Sequence, residues 1–211
     1  FLKGDVMSQN IPTSNNIAVI SSNFSNDVAE SRIIYLHDIV DDTSVLSAIE
    51  KINQINESDI QQEIEFQLKY GLNTQSSRKP IILDIASWGG IVYSGLNLIS
   101  CIEQSITPIV TRVNGYAFSM GLMIFLAGHK RQISRHATLM YHQISGGIIG
   151  KLKDQEEDLE ISKDLQKHLE DYMLERSNLK RKDLKKIYQL KQDFYISAKQ
   201  AIELGIADEI I

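Results

Sequence analysis

The sequence predicts an α/β protein with a parallel sheet, because strand patterns alternate with helix patterns through its middle. The apolar runs 80–85 and 108–113 are typical of buried strands. Segments 96–102 and 119–127 follow these runs with the apolar spacing of helices. Strands that alternate with helices favour parallel pairing through crossover helices. Further strands are predicted over 32–36, 130–141 and 207–211.

Three helices flank this pattern. One begins at about Asp42 with good capping residues, and polar residues 57–70 extend it or form an insertion over 57–75. Its predicted apolar face consists of Val45, Leu46, Ile49 and Ile52. A long charged helix over 151–178 has an apolar face of Leu165, Leu169, Tyr172 and Met173, and a short helix over 197–204 stops at Gly205.

Composition and charge limit the function classes. The chain of 211 residues predicts one domain over 31–211, preceded by an arm over 1–30 that is rich in Asn, Ser and Asp. A net charge of −5 disfavours nucleic-acid binding, which needs a basic face. The single Cys101 reads as a small buried apolar residue and favours a reducing compartment, so we expect a cytoplasmic protein. No segment has the 18 or so apolar residues of a membrane span, and no secretory signal is visible.

Three residues fit the roles of a serine-peptidase triad. Ser119 stands where a helix is expected to begin, His142 ends a strand-like run, and Asp193 precedes a short helix. A serine hydroxyl needs a base within hydrogen-bond reach and a third group that orients the base. Taken singly, each residue has a simpler interpretation than a catalytic one. Ser119 or Asp193 could be a helix cap, and His142 could be a structural histidine. Their joint placement in one α/β pattern favours the catalytic reading.

A pair of glycines follows the strand over 80–85. The segment Ser87-Trp-Gly-Gly90 is either an ordinary turn from strand to helix or part of a functional site. In a site, a glycine N–H would donate a hydrogen bond to an oxyanion, and an extended peptide would pair along this segment as an added strand. We expect no metal and no cofactor, since the sequence has no H-E-x-x-H motif, no paired cysteines and no histidine cluster.

These segments together resemble the proteolytic subunit of the Clp protease family, over about residues 30 to 211. Six motifs occur in the family's order: Ser87-Trp-Gly-Gly-Ile-Val-Tyr-Ser-Gly95, Val113-Asn-Gly-Tyr-Ala-Phe-Ser-Met-Gly121, Ala127-Gly-His-Lys-Arg131, Leu139-Met-Tyr-His-Gln143, Gly146-Gly-Ile-Ile-Gly150, and Asp193-Phe-Tyr-Ile-Ser-Ala198 with Ala201-Ile-Glu-Leu-Gly205-Ile-Ala-Asp208.

The resemblance implies a crotonase-like fold with a protruding handle helix, at about 146–180. It implies Ser119 as nucleophile, His142 as base and Asp193 as orienting group. It also implies an oxyanion hole from the N–H groups of Gly90 and Met120. The enclosed site would cleave polypeptides inside a homo-oligomer of stacked rings, usually of seven subunits, that an AAA+ unfoldase ATPase feeds. A bound peptide would lie extended between two segments of the chain, Gly90, Ile91 and Val92 on one side and Gln143 and Ile144 on the other.

Several positions depart from the family pattern. Trp88 stands where the family has proline, Phe118 where it has a small residue, Ile144 where it has proline, and Gln192 where it has arginine. Asp84 and Arg112 stand on adjacent predicted strands, where the family presents apolar residues to its ATPase. The two charges could pair with each other, but burying an unpaired charge is costly, so they disfavour docking of an apolar loop.

Three functions therefore remain open. The first is a self-compartmentalising serine endopeptidase that uses Ser119, His142 and Asp193. The second is a catalytically weak or inactive ring subunit that keeps the fold, since the departures flank the triad. The third is an acyl-CoA enzyme of the crotonase superfamily, which needs no such triad and is disfavoured by it.

Overall fold

The computed structural model describes residues 31–71, 78–190 and 192–211. The predicted arm over 1–30 and most of the predicted loop over 73–79 lie outside these residues. The fold is mixed α/β with a mostly parallel sheet, as the sequence predicted. Its elements are β1 (Ile33–Val40), α1 (Asp42–Tyr70), β2 (Ile81–Gly90), α2 (Val92–Gln104), β3 (Ile109–Phe118), α3 (Met120–Leu126), β4 (Lys130–Ile133), β5 (Thr138–Tyr141), α4 (Leu152–Glu175), α5 (Arg181–Leu190), β6 (Phe194–Ser197), α6 (Ala198–Glu203) and β7 (Glu209–Ile210).

The sheet has the order β1-β2-β3-β4-β7, and the strand β3 has two neighbours along one edge. Its first half pairs with β4, from Val110↔Lys130 onward, and its second half pairs with β5, from Tyr116↔Thr138 onward. The short strand β6 then pairs antiparallel with β5. The long β3 therefore brings β5 and β6 to the carboxyl end of the sheet.

The hydrophobic core lies against one face of the sheet. Ile81, Leu83 and Ile85 of β2 are fully buried there, and burial of each side chain stabilises the fold by about 1.5–3 kcal/mol. The helices α1 and α3 pack on this face, and every side chain of α3 is buried. The opposite face carries exposed side chains in the part of the chain that the structure describes, among them Tyr35 and Trp88.

Some local predictions were wrong. In α1 the buried face is Val45, Ala48, Ile52 and Ile55, and Leu46 is 56% exposed. Of the two alternatives for the polar residues 57–70, the structure shows the helix extension, because α1 is continuous to Tyr70 and ends at Gly71, whose φ is 64°. The sequence reading missed α5 and β6. A four-residue strand such as β6 depends on its pairing with β5 more than on its own pattern.

The long helix α4 packs on the core through only part of its length. Leu169 and Met173, in its carboxyl half, are buried. Leu152, Leu159 and Ile161, in its amino half, are 73%, 53% and 56% exposed. At about 1.5 Å per residue, this half projects well beyond the core. Among the described helices, none combines the length and the apolar character needed to cross a membrane.

Candidate functional site

Strand register brings the three predicted catalytic residues to one end of the sheet. Phe118 of β3 pairs with Met140 of β5, so Ser119 and His142 follow directly beyond neighbouring strand ends. Tyr141 of β5 pairs with Phe194 of β6 in antiparallel register. One step further, His142 stands opposite Asp193. The sequence order Ser, His, Asp thus becomes a spatial order across three adjacent strands.

Ser119 has an unusual backbone conformation. Its φ is 52° and its ψ is −120°, in a region that non-glycine residues rarely adopt. The surroundings hold it there: its N–H donates to the carbonyl of Met140 at 2.8 Å, and its own carbonyl accepts from Leu122 N–H at 3.1 Å. Strained backbone of this kind costs about 1–3 kcal/mol and persists only where packing over-determines it. The backbone of Ser119 is therefore held by β5 on one side and by α3 on the other.

Gly89 lies against this turn more closely than any other residue type could. Its φ is +95°, and a Cβ at this position would lie 2.7 Å from Ser119 Cβ and 3.0 Å from Met120 N. The Gly89 N–H donates to Ser87 Oγ at 3.1 Å, which holds the strand end in place. Glycine at position 89 lets the end of β2 approach both Ser119 and the N–H of Met120, the first residue of α3.

One cavity of about 240 Å³ brings together most of the predicted site residues. Gly90, Ser119, Met120 and His142 line it, as do Val92 and Ile144 from the predicted peptide-binding segments. Its wall is completed by Trp88, Met123, Tyr141, Ser145, Gln166 and Leu169. Ile91 lies outside the cavity lining and is 50% exposed.

Asp193 and Gln143 lie in an adjoining cavity of about 160 Å³, which His142 also borders. His142 therefore borders both the cavity that contains Ser119 and the cavity that contains Asp193. Within the described residues, no hydrogen bond joins Ser119 to His142 or His142 to Asp193. Such contacts are often long before substrate binds and shorten in the bound complex.

Two departures from the family pattern contact each other. The ring centroids of Trp88 and Phe118 are 5.2 Å apart, in an edge-to-face arrangement. Tyr116 packs against both rings, at 4.8 Å from Trp88 and 5.5 Å from Phe118. The large residues at positions 88 and 118 thus form one aromatic cluster beside the cavity.

The predicted pair of Asp84 and Arg112 does not form, although the two residues are register neighbours on β2 and β3. Asp84 instead accepts hydrogen bonds from His37 Nε2 at 2.9 Å and from Asn114 Nδ2 at 2.6 Å. Arg112 donates to Gln132 Oε1. His37 stands on β1, the neighbouring strand, from which its imidazole reaches this carboxylate. In the described parts of the chain, no cluster of three His, Cys, Asp or Glu side chains could hold a metal ion.

Comparison with known protein families identifies the family of the chain. The family model described as Clp protease matches residues 48–211, which is more than half of the chain. The match includes Ser119, His142 and Asp193. The chain therefore belongs to the Clp protease family, and this membership supports a protease-type function.

Proposed function

We propose that the protein is a serine endopeptidase in which Ser119 is the nucleophile, His142 the general base and Asp193 the orienting carboxylate. The observation that carries the proposal is that Ser119 and His142 line one cavity, while His142 and Asp193 line the adjoining one. A hydroxyl, an imidazole and a carboxylate in this order are the parts that acyl transfer from a peptide needs.

In the proposed reaction, Ser119 Oγ attacks the carbonyl carbon of a peptide bond, and its proton passes to the imidazole of His142. The N–H groups of Gly90 and Met120 would donate to the oxyanion that forms. Such donors commonly account for about 10²–10³ in rate each. The imidazolium returns its proton to the leaving amine as the C–N bond breaks. Water then hydrolyses the acyl ester by the same route in reverse.

The substrate would be an unfolded polypeptide or a short peptide, bound extended between Gly90–Val92 and Gln143–Ile144. Gly90, Val92 and Ile144 line the cavity that contains Ser119, and Gln143 lines the adjoining one. Apolar walls from Met120, Met123 and the Trp88 cluster favour a large apolar side chain next to the bond that is cleaved.

Assembly into stacked rings, of seven subunits in the family's usual form, would enclose the sites. The exposed apolar side chains on the amino half of α4 support such a partner surface, since isolated soluble proteins rarely expose extended apolar patches. Ile148 and Ile149, which lie just before α4 and are 48% and 103% exposed, further support a homo-oligomer.

Cytoplasmic localisation remains part of this proposal.

Docking of an AAA+ unfoldase is the weakest part of the family's usual function here. Asp84 is buried to 8% exposure and bonded to His37 and Asn114, so the position is a satisfied polar site rather than an apolar one. An apolar loop placed there would break these hydrogen bonds without replacing them. We propose that a standard unfoldase stimulates this protein weakly or not at all.

The experiment that tests the peptidase proposal compares hydrolysis of short fluorogenic peptides by wild-type protein, Ser119→Ala and His142→Ala. Loss of a triad member costs on the order of 10⁴ to 10⁶ in rate. Ser100→Ala, on the outer surface of α2, serves as the matched serine control. Equal turnover by Ser119→Ala and Ser100→Ala would refute the proposal.

A second candidate is a ring subunit without catalytic activity. The specific observation in its favour is that Ser119, His142 and Asp193 are not joined by hydrogen bonds within the described residues. This candidate predicts that wild-type protein assembles but hydrolyses no peptide, and that it fails to react with a fluorophosphonate.

A further inference from the structure

At the edge of the candidate site, the side-chain amide of Gln166, on α4, forms hydrogen bonds through both its oxygen and its nitrogen. Its Oε1 accepts a hydrogen bond from the backbone N–H of Ile144 at 2.8 Å. Its Nε2 donates to Tyr141 Oη at 2.8 Å and to Glu170 Oε1 at 2.9 Å. Because only an oxygen can accept from the Ile144 N–H, this contact fixes the orientation of the amide.

These contacts hold both sides of His142. Tyr141 is the residue before it, and Ile144 is the second residue after it. Tyr141 is 3% exposed, and burial together with the charge of Glu170 raises the pKa of its phenol to about 12. The phenol therefore stays neutral near pH 7, and its oxygen accepts the hydrogen bond from the Gln166 amide.

The bond to Ile144 also ties the segment after His142 to α4. Ile144 and Gln166 line the same cavity as Ser119 and His142, and Gln143 lines the adjoining one. The hydrogen bond from the Ile144 N–H therefore joins α4 to the segment along which we propose that a peptide binds.

We propose that Gln166 is a positioning residue, which holds segment 141–144 in place beside the cavity of Ser119 for an extended peptide. The part of this inference that concerns peptide binding rests on the proposed peptidase function. The part that concerns the segment itself does not. Gln166 acts through the backbone of Ile144 and through Tyr141, and it takes no part in bond making or breaking.

The test uses full-length Gln166→Met, which removes the amide at nearly constant length, and Gln166→Glu, which keeps an acceptor for Ile144. Gln155→Leu, an exposed glutamine on the same helix, is the control. Hydrogen exchange followed by mass spectrometry reports directly on the Ile144 amide. We expect exchange in peptides covering 141–147 to become roughly three- to tenfold faster in Gln166→Met, the factor expected for one hydrogen bond. Gln166→Glu keeps an acceptor for Ile144 but sets its carboxylate against Glu170, so its exchange should lie between those of wild type and Gln166→Met. Gln155→Leu should not change.

Kinetics separate positioning from a general structural role. Gln166→Met should raise KM for peptides roughly three- to tenfold. Its rate of reaction with a small fluorophosphonate, which needs no strand pairing, should change less than KM does. Unchanged exchange at 141–147 in Gln166→Met would overturn the inference, whether or not the protein is a peptidase. Failure of wild-type protein to react with the fluorophosphonate would overturn the peptidase proposal alone.

Discussion

Replacement of Gly89 by alanine tests the geometry of the site without removing any proposed catalytic group. The added Cβ would lie 2.7 Å from Ser119 Cβ and 2.8 Å from the carbonyl oxygen of Phe118, where ordinary contacts begin at 3.4 Å. Relief of this overlap requires movement of about 1 Å, and a 1 Å misplacement of reacting groups costs about 10²-fold in rate. The φ of +95° adds about 1–3 kcal/mol of backbone strain.

We therefore expect Gly89→Ala to fold with reduced stability and to lose at least about 10²-fold in peptide hydrolysis. Gly115→Ala is the matched control, since a Cβ at Gly115 would meet no atom within 4 Å. Stability is measured by urea unfolding, and activity is measured as kcat/KM with a fluorogenic peptide. If Gly89→Ala hydrolyses peptides as fast as Gly115→Ala, the close approach of β2 to Ser119 has no catalytic role and the reasoning is wrong.

Three further predictions concern stability, assembly and partners. The two hydrogen bonds from Arg32 hold the pKa of Asp59 below its usual value, so their stabilisation is present above about pH 4 and is lost as the pH falls through the lowered pKa. In urea unfolding at pH 7, Asp59→Asn should lower the free energy of unfolding by about 1.5–3 kcal/mol. The stability of this variant should also fall less than that of wild type as the pH is lowered. Analytical ultracentrifugation at micromolar concentration should show assemblies, and Leu159→Asp should dissociate them if the exposed side of α4 is the contact; wild-type monomer at every salt concentration would contradict this. Addition of a standard Clp unfoldase and ATP should leave degradation of a tagged folded protein slow, and Asp84→Tyr with Arg112→Ile should increase it; rapid degradation by wild type would show that the docking argument is wrong.

The central α/β pattern was predictable because buried parallel strands have nearly continuous apolar runs. Apart from their first residues, Pro80 and Pro108, the runs at 80–85 and 108–113 lie within β2 and β3, which are longer at their carboxyl ends than predicted. Those extra residues, from Ala86 to Gly90 and from Asn114 to Phe118, are polar, small or aromatic. They form strands because neighbours pair with them, which a local pattern does not reveal.

The sequence could name the candidate site residues only as a set, and it could not predict their contacts. Ser119, His142 and Asp193 were found from sequence motifs and their order. The approach of Gly89 to Ser119 depends on how β2 lies beside β3, and the contact of Gln166 with Ile144 depends on where α4 crosses the strand end. Asp84 bonds His37 rather than Arg112 because β1 places an imidazole within 2.9 Å, a distance that only the folded sheet determines.

Reaction with a fluorophosphonate, located by mass spectrometry, tests the central claim most directly. The probe bonds to an activated serine and requires neither a peptide substrate nor a partner protein. We predict a single adduct on Ser119 in wild-type protein, no adduct in Ser119→Ala, and an adduct that forms far more slowly in His142→Ala. An adduct on another serine, or wild-type protein that stays unmodified, would contradict the assignment of Ser119 as nucleophile.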